Sequence, residues 1–373
     1  MNRFIEDRVK PILKKPQMQF VFVGIVLLVV RALSSSMSVT NFSAIVQTSY
    51  YFLAGLGFAL LLGYGGLASL GTGAFVGIGS FALHYFYKYM NQQLLVAIVL
   101  AIIISIIVSL LFGFVSLRIS GMYLAIVTMG LSQIVVEVIK NFSEYASGTT
   151  AGFLINPNRR PLELFGYVLK AEDALIFSAV FIVLGMIIIH NLIHSATGRA
   201  LLSIKNSETA AQTMGIGLIK YRLTAFIISG VFGTLAGVLS ILFTRGANVS
   251  QIGLAFALNI LAAVVIGGTK SIWGIMLGSF VIFGLDLAVL QKLNLGSYSP
   301  VINGVLIIVV VMFYPGGLIQ IFTDLKIKIK LAIEKKKKAN EEKRVWWQSN
   351  KKDIIKILIK EEKSSYKEIT WLA

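Results

Sequence analysis

The chain has no cysteine among its 373 residues, which excludes disulfides and thiolate metal sites outright. Acidic residues are scarce, 17 Asp+Glu against 34 Lys+Arg. Glu137 and Asp286 are the acids that fall in apolar runs, and each stands alone, so paired carboxylates for acid–base work or ion coupling are missing there. Histidine is rarer still, with 3 in all. His190 and His194 stand four apart, but no Glu follows the first and further ligands are missing nearby, so no metal site is expected. A phosphate loop is also missing. Gly267-Gly268-Thr269-Lys270-Ser271 lacks the G-x-x-x-x-G-K spacing, so the chain is not expected to bind ATP. Gly63-Tyr-Gly65-Gly-Leu-Ala68 and Gly77-Ile-Gly79-Ser-Phe-Ala82 match a dinucleotide pattern. Both sit in or beside apolar runs rather than after a strand, and helix packing accounts for them better. No enzyme is expected.

What is present is hydrophobic: 56% of residues, with a mean hydropathy of +0.81. Apolar runs recur at 18–36, 43–62, 67–86, 93–117, 122–139, 174–191, 221–244, 253–268, 272–290 and 300–314. This predicts an all-α polytopic membrane protein of about ten transmembrane helices, some of them short or broken where glycine is dense. The first run follows Lys10, Lys14 and Lys15 and lacks a convincing cleavage site, so it reads as a retained span. The net charge of +17 suits basic cytoplasmic flanks, and nucleic acid is not expected as a partner. With ten spans one orientation puts every basic loop inside: the N-terminal lysines, Arg118, Arg199 to Arg222, Lys270 and the Lys-rich tail. Both termini are then cytoplasmic. The chain divides into an N-terminal segment 1–17, a membrane domain 18–322 and a basic tail 323–373. The tail, with Lys335 to Lys338, Trp346, Trp347, Ile354, Ile355, Leu358 and Ile359, suits anionic lipid at the inner surface or a loose extension.

Gly73/Gly77, Gly233/Gly237 and Gly274/Gly278 are small-xxx-small pairs of the kind that lets helix backbones approach in lipid. Residues 140–173 read as a long outside loop, with turn residues Asn141 to Gly152 and helix-blocking Pro157 and Pro161, placed to meet an extracytoplasmic partner. The polar stretch 195–222 reads as a cytoplasmic helix–turn–helix. Gly198-Arg199 is expected to end one helix. Glu208 suits the positive end of the next, Ala210 and Ala211 leave a shallow face, and Gly215 permits a sharp reversal.

That stretch resembles the EAA coupling loop of ABC importer permeases. Gly198-Arg-Ala-Leu-Leu-Ser-Ile-Lys-Asn-Ser-Glu-Thr-Ala-Ala-Gln-Thr-Met-Gly215 looks like the version in branched-chain amino acid permeases, M-subunit-like. Four further stretches agree in order: Ser69-Leu70-Gly71 with Phe75, Gly121-Met-Tyr123-Leu-Ala125 with Thr128, Gly267-Gly268 with Trp273-Gly274 and Gly278, and Tyr314-Pro-Gly-Gly-Leu318. The resemblance spans about 40–320. Thr72 stands where the family commonly has His, and Ile275 replaces a Pro. Residues 147–152 follow the family loop loosely, and the tail lies outside its pattern.

The resemblance implies the permease subunit of an ATP-driven importer in the bacterial cytoplasmic membrane, carrying leucine, isoleucine and valine. Related permeases carry urea, nucleosides or simple sugars. It implies a homologous second permease, two cytoplasmic ATP-binding subunits that use ATP and Mg, and an extracytoplasmic substrate-binding protein, around a chain that meets membrane lipid and binds no cofactor itself. Gly198, Arg199, Lys205, Asn206, Glu208, Ala210, Ala211 and Gly215 then couple to the ATPase. Gly71, Tyr123, Thr128 and Gly268, which combine exposed backbone with hydroxyls at lipid depth, are the pathway candidates. A self-sufficient secondary transporter would need the intramembrane carboxylates that are scarce here.

Overall fold

The computed structural model describes residues 16–116, 119, 121–147, 152–154, 161–249, 252–292 and 298–370. Lys10, Lys14, Lys15, Arg118, Gly148, Thr149, Thr150, Ala151 and Pro157 lie outside them. The described chain is helical apart from two small strand pairs. The helices are α1 (Pro16–Ala32), α2 (Val39–Ala59), α3 (Thr72–His84), α4 (Leu94–Ser116) and α5 (Met122–Ser147). After strands β1 (Gly152–Leu154), β2 (Glu163–Leu164) and β3 (Tyr167–Val168) come α6 (Ala174–His194), α7 (Ala196–Asn206), α8 (Glu208–Thr213) and α9 (Leu218–Thr244). Strand β4 (Gly246–Asn248), α10 (Leu254–Gly267), α11 (Ile272–Ser279), α12 (Ser299–Phe313) and α13 (Leu318–Thr370) complete the order. Residues through Ile319 form one compact unit, and those from Gln320 form a second.

The protein is an all-α polytopic membrane protein. Among the described residues 6 helices are long and apolar enough to span a bilayer, or up to 7 if one bent pair counts as a span. The remaining apolar runs make shorter helices, and the reason is local. Helix α10, at 14 residues, is only about 21 Å long, against roughly 30 Å of hydrocarbon, whereas α3 continues without a break through a π turn at Tyr85–Tyr89. The run at 67–86 is helical only from Thr72, because α2 ends in a π turn at Leu60–Tyr64 and residues 65–71 are non-helical. The run at 122–139 extends instead to Ser147, so what reads as the start of a loop at 140 is two more helical turns.

The fold has two ends. At one, β1 pairs antiparallel with β4, Phe153 opposite Ala247. There the Arg31 guanidinium lies 2.6 Å from the buried Asp173 carboxylate, Arg245 donates to the Leu169 carbonyl, and the Tyr87 hydroxyl donates to the Pro161 carbonyl. At the other, α7 and α8 stand beside the α10–α11 turn. Helix α9 runs from Arg222, paired with Glu208 at the loop end, to Arg245, bonded to Leu169 at the strand end.

Helix α9 is the centre. It packs against α2, α3 and α4 and buries Phe226, Phe232, Val238, Leu239 and Ile241. Its close crossing of α3 has a sequence cause. A Cβ at Gly237 would overlap the Val76 carbonyl, and one at Gly79 the Thr234 carbonyl. With lipid on both sides no hydrophobic force sorts helices, so close backbone contact does. Gly274 and Gly278 serve the α10–α11 crossing in the same way. The helix from Leu318 contains the Lys335 to Lys338 run, and its described side chains are almost all exposed.

Replacing Gly237 with Leu should destabilise the protein by about 2 kcal/mol or more, since the α3 backbone blocks the new side chain. Denaturant unfolding in detergent measures this. Gly130→Leu, where nothing lies within 4 Å, serves as the control.

Candidate functional site: the loop between α6 and α9

Ser195 stops α6 and starts α7, its hydroxyl accepting from the Thr197 amide at 3.1 Å. Gly198 and Arg199 therefore lie inside α7, not at a helix end as their composition suggests. Gly198 is needed for closeness, because a Cβ there would overlap the Ile193 carbonyl. The Arg199 guanidinium donates to the His194 carbonyl at 3.1 Å. A second serine, Ser207, caps the six-residue α8 by accepting from the Ala210 amide at 3.3 Å. Gly215, at φ 76°, closes α8 in the left-handed conformation, and the Ile216 amide returns to the Ala211 carbonyl at 3.0 Å.

Two side chains fix this loop to the bundle. The Lys205 ammonium donates to the Leu62 carbonyl at 3.2 Å and the Gly63 carbonyl at 2.8 Å, where the end of α2 leaves acceptors unpaired. Partial burial, and then the charge of Lys270, pull the Lys205 ammonium down from its usual range. Glu208 pairs with the Arg222 guanidinium, whose side chain is only 4% exposed at the start of α9. Ala211 faces inward, whereas Thr209, Ala210, Gln212 and Thr213 face out, with Met214 84% exposed at the tip. Asn206 is exposed at the end of α7. The loop thus has a fixed base and an open, exposed tip.

The four pathway candidates do not converge. Thr128 is fully buried; its hydroxyl donates to the Leu124 carbonyl at 2.9 Å and accepts from the Leu70 amide at 3.0 Å. Gly71 is buried against Phe112. Gly268, at φ 110°, packs against Gly316 in the loop-end turn. Tyr123 is 74% exposed, on a face of α5 that continues through Ile126, Gly130 and Gln133. The His190 ring meets Phe20 edge-on, and His194 bonds back to the His190 carbonyl, so both serve packing. No metal-binding cluster occurs among the described residues. Sequence reasoning missed Arg222 as a partner and the α2 end as an acceptor. The first lies fourteen positions from Glu208, and the second is backbone.

A family described as branched-chain amino acid transport system, permease component, matches residues 40–311. The high-affinity branched-chain amino acid transport system permease protein LivM of Salmonella typhimurium is 28% identical over 306 residues, 76% of this chain and 71% of that one. LivM of Escherichia coli is 28% identical over 305 residues, 76% of this chain and 70% of its own. A ribose import permease protein, RbsC of Haemophilus influenzae, is 31% identical over 168 residues, 43% of this chain and 50% of its own. No solved structure matches.

Lys205→Met should leave the Leu62 and Gly63 carbonyls without their donor and cost about 1–3 kcal/mol. Comparing its thermal unfolding with that of the parent protein gives the number. Equal midpoints would mean that this contact does not hold the loop.

Proposed function

The chain belongs to the permease-component family of branched-chain amino acid transport systems, and from this we propose that its 195–222 loop takes mechanical input from a partner ATPase. The chain is a transmembrane permease component of an ABC importer and a non-catalytic subunit of it. Its energy comes from another chain.

The loop end is the cytoplasmic side. It carries Arg199, Lys205, Lys220, Arg222 and Lys270, while at the strand end Arg31 is matched by Asp173 and Lys140 by Glu137. Segment 1–17 and the basic tail 323–373 then lie in the cytoplasm, and the ten apolar runs all serve as spans, the short ones reaching the interface through non-helical ends. The strand end faces the extracytoplasmic binding protein. A homologous permease packs alongside, two ATP-binding subunits dock below, and ATP with Mg is used there. The cargo is leucine, isoleucine or valine.

The observation that carries this reading is the division of the loop into a fixed base and an open tip. Ala210, Gln212, Thr213 and Met214 are accessible to a partner groove, while Lys205 and Glu208 tie the same few residues to α2 and α9. A push on the tip reaches two core helices without passing through a flexible linker. Interfaces packed this closely respond by switching arrangement rather than by bending, and alternating access follows.

Radiolabelled leucine uptake by the reconstituted complex, with and without ATP, tests the assignment, with urea, a nucleoside and ribose as competing cargoes. Gly215→Ile forces a β-branched side chain into a left-handed turn, and Glu208→Lys faces Arg222 with a like charge. Each should lower uptake per ATP hydrolysed by roughly tenfold at equal membrane abundance. Parental coupling in both variants would remove the role given to this loop.

A further inference from the structure

The family match ends at residue 311, and α13, the longest described helix, begins after it. The first part of that helix carries two features together. Between Leu325 and Lys338 there are seven lysines and one acid, Glu334. Lys330 lies 3.8 Å from Glu334, and no acid comes within ion-pair distance of the other six among the described residues. The same stretch exposes Leu325, Ile327, Ile329, Leu331 and Ile333, each more than half accessible.

The helical repeat sorts these side chains by position. Leu325, Ile329, Ala332 and Ile333 share one face about 100° wide. Lys326, Lys330 and Lys337 flank it on one edge and Lys328 and Lys335 on the other, while Ile327 and Leu331 fall on the opposite side. An exposed aliphatic stripe gains by being covered, and a row of uncompensated ammonium groups gains by meeting anions. Lys335 to Lys338 also repel one another along the helix, which an anionic surface relieves. A bilayer supplies both: lysine stems lie along the apolar boundary while their ammonium groups reach the phosphates. A coiled coil with a second copy would cover the stripe too, but its seven-residue register, continued from Ile329, puts Lys336 and Lys343 in the seam. Distance along the chain favours the membrane as well. Leu325 follows the end of α12 at Phe313 by only 12 residues, and lysine clusters that close to a span are the kind that meets anionic lipid.

We propose that residues 325–338 form an anionic-lipid site: this part of α13 lies along the inner leaflet, with Leu325, Ile329 and Ile333 toward the acyl boundary and the lysines on lipid phosphate groups. The site rests on the cytoplasmic placement of the tail given above, and it adds a partner for a segment that the transport reading leaves unused. The ligand is a lipid headgroup rather than a free anion, because only a lipid also covers the aliphatic stripe. Its strength is electrostatic and its orientation aliphatic, so salt weakens the contact without changing which face of the helix makes it.

The absence of cysteine allows one label per chain. Ile329→Cys on the proposed lipid face and Ile327→Cys on the opposite face, each carrying a nitrobenzoxadiazole fluorophore, are compared in the full-length chain with its partner subunits. The complex is reconstituted in phosphatidylcholine vesicles with and without about one third phosphatidylglycerol, and a nitroxide lipid labelled near the top of its acyl chain is the quencher. In the anionic vesicles quenching at position 329 should exceed that at position 327 by roughly twofold or more. Raising KCl from about 0.05 to about 0.5 M should remove most of the difference between anionic and neutral vesicles. Changing the seven lysines to Gln should bring quenching at position 329 down to its level in neutral vesicles, and changing them to Arg should retain it. Equal quenching in both vesicle types, or at both positions, would overturn the site. A label at position 329 that is shielded from both the nitroxide lipid and aqueous iodide only when the ATP-binding subunits are present would overturn it in favour of a protein partner. ATP-driven leucine uptake is read in the same vesicles. Unquenched labels with normal uptake overturn the lipid site and leave the transport reading standing, whereas charge-dependent quenching without leucine uptake supports the lipid site and overturns the cargo.

Discussion

Backbone polar groups inside a membrane have no water to bond, and this constraint organises the whole chain. Continuous helices meet it internally. Where a helix breaks, a side chain from a distant segment must supply the bond. Residues 65–71 form one such break, and several backbone groups in it or just before it have partners. The Leu67 amide returns to the Leu61 carbonyl, the Leu70 amide goes to Thr128, the Gly71 amide to Ser69, and the Leu62 and Gly63 carbonyls to Lys205. Tyr64 closes the arrangement by donating to the Lys270 carbonyl at 3.2 Å. The break therefore ties α2, α3, α5, α7 and the α10–α11 turn together. A helix interruption in lipid is a junction, because its unpaired groups oblige other elements to come to it.

The same constraint explains what the amino-acid order reveals and what it conceals. Long apolar runs such as 93–117 and 221–244 are legible because composition alone places them in lipid. The run at 67–86 has the same composition but becomes helical only from Thr72, since hydropathy does not register whether the backbone turns. Thr128 is a second case. A hydroxyl at lipid depth suggests contact with cargo, yet here it replaces a missing helical acceptor for Leu70. Lys205 is a third. Its charge orients the loop, but its position over two carbonyls belongs to tertiary structure. Gly215 is legible in full, because a left-handed residue after a short capped helix has a local cause. The Glu208–Arg222 pair is not, since nothing local links positions in different helices.

The small-residue pairs show how packing and motion are related. Gly79 and Gly237 bring α3 and α9 to backbone contact, and α9 also carries Arg222 at its loop end and Ser240 at its strand end. Helices this close cannot slide by small amounts without overlap. Under the proposed function a displacement at Arg222 is carried along α9 as a rigid shift rather than absorbed in side-chain rearrangement. Force entering at α8 then needs only this one helix to reach the far side of the membrane.

Scarcity of charge within the spans has a mechanistic consequence. A transporter driven by an ion gradient needs carboxylates that load and release the ion at membrane depth. Glu137 is paired with Lys140 on its own helix, at 2.9 Å. Asp286 is the other acid in an apolar run. Under the proposed function the energetic work then falls to the loop at the cytoplasmic end, and force there biases α9, the packed element that reaches the strand end.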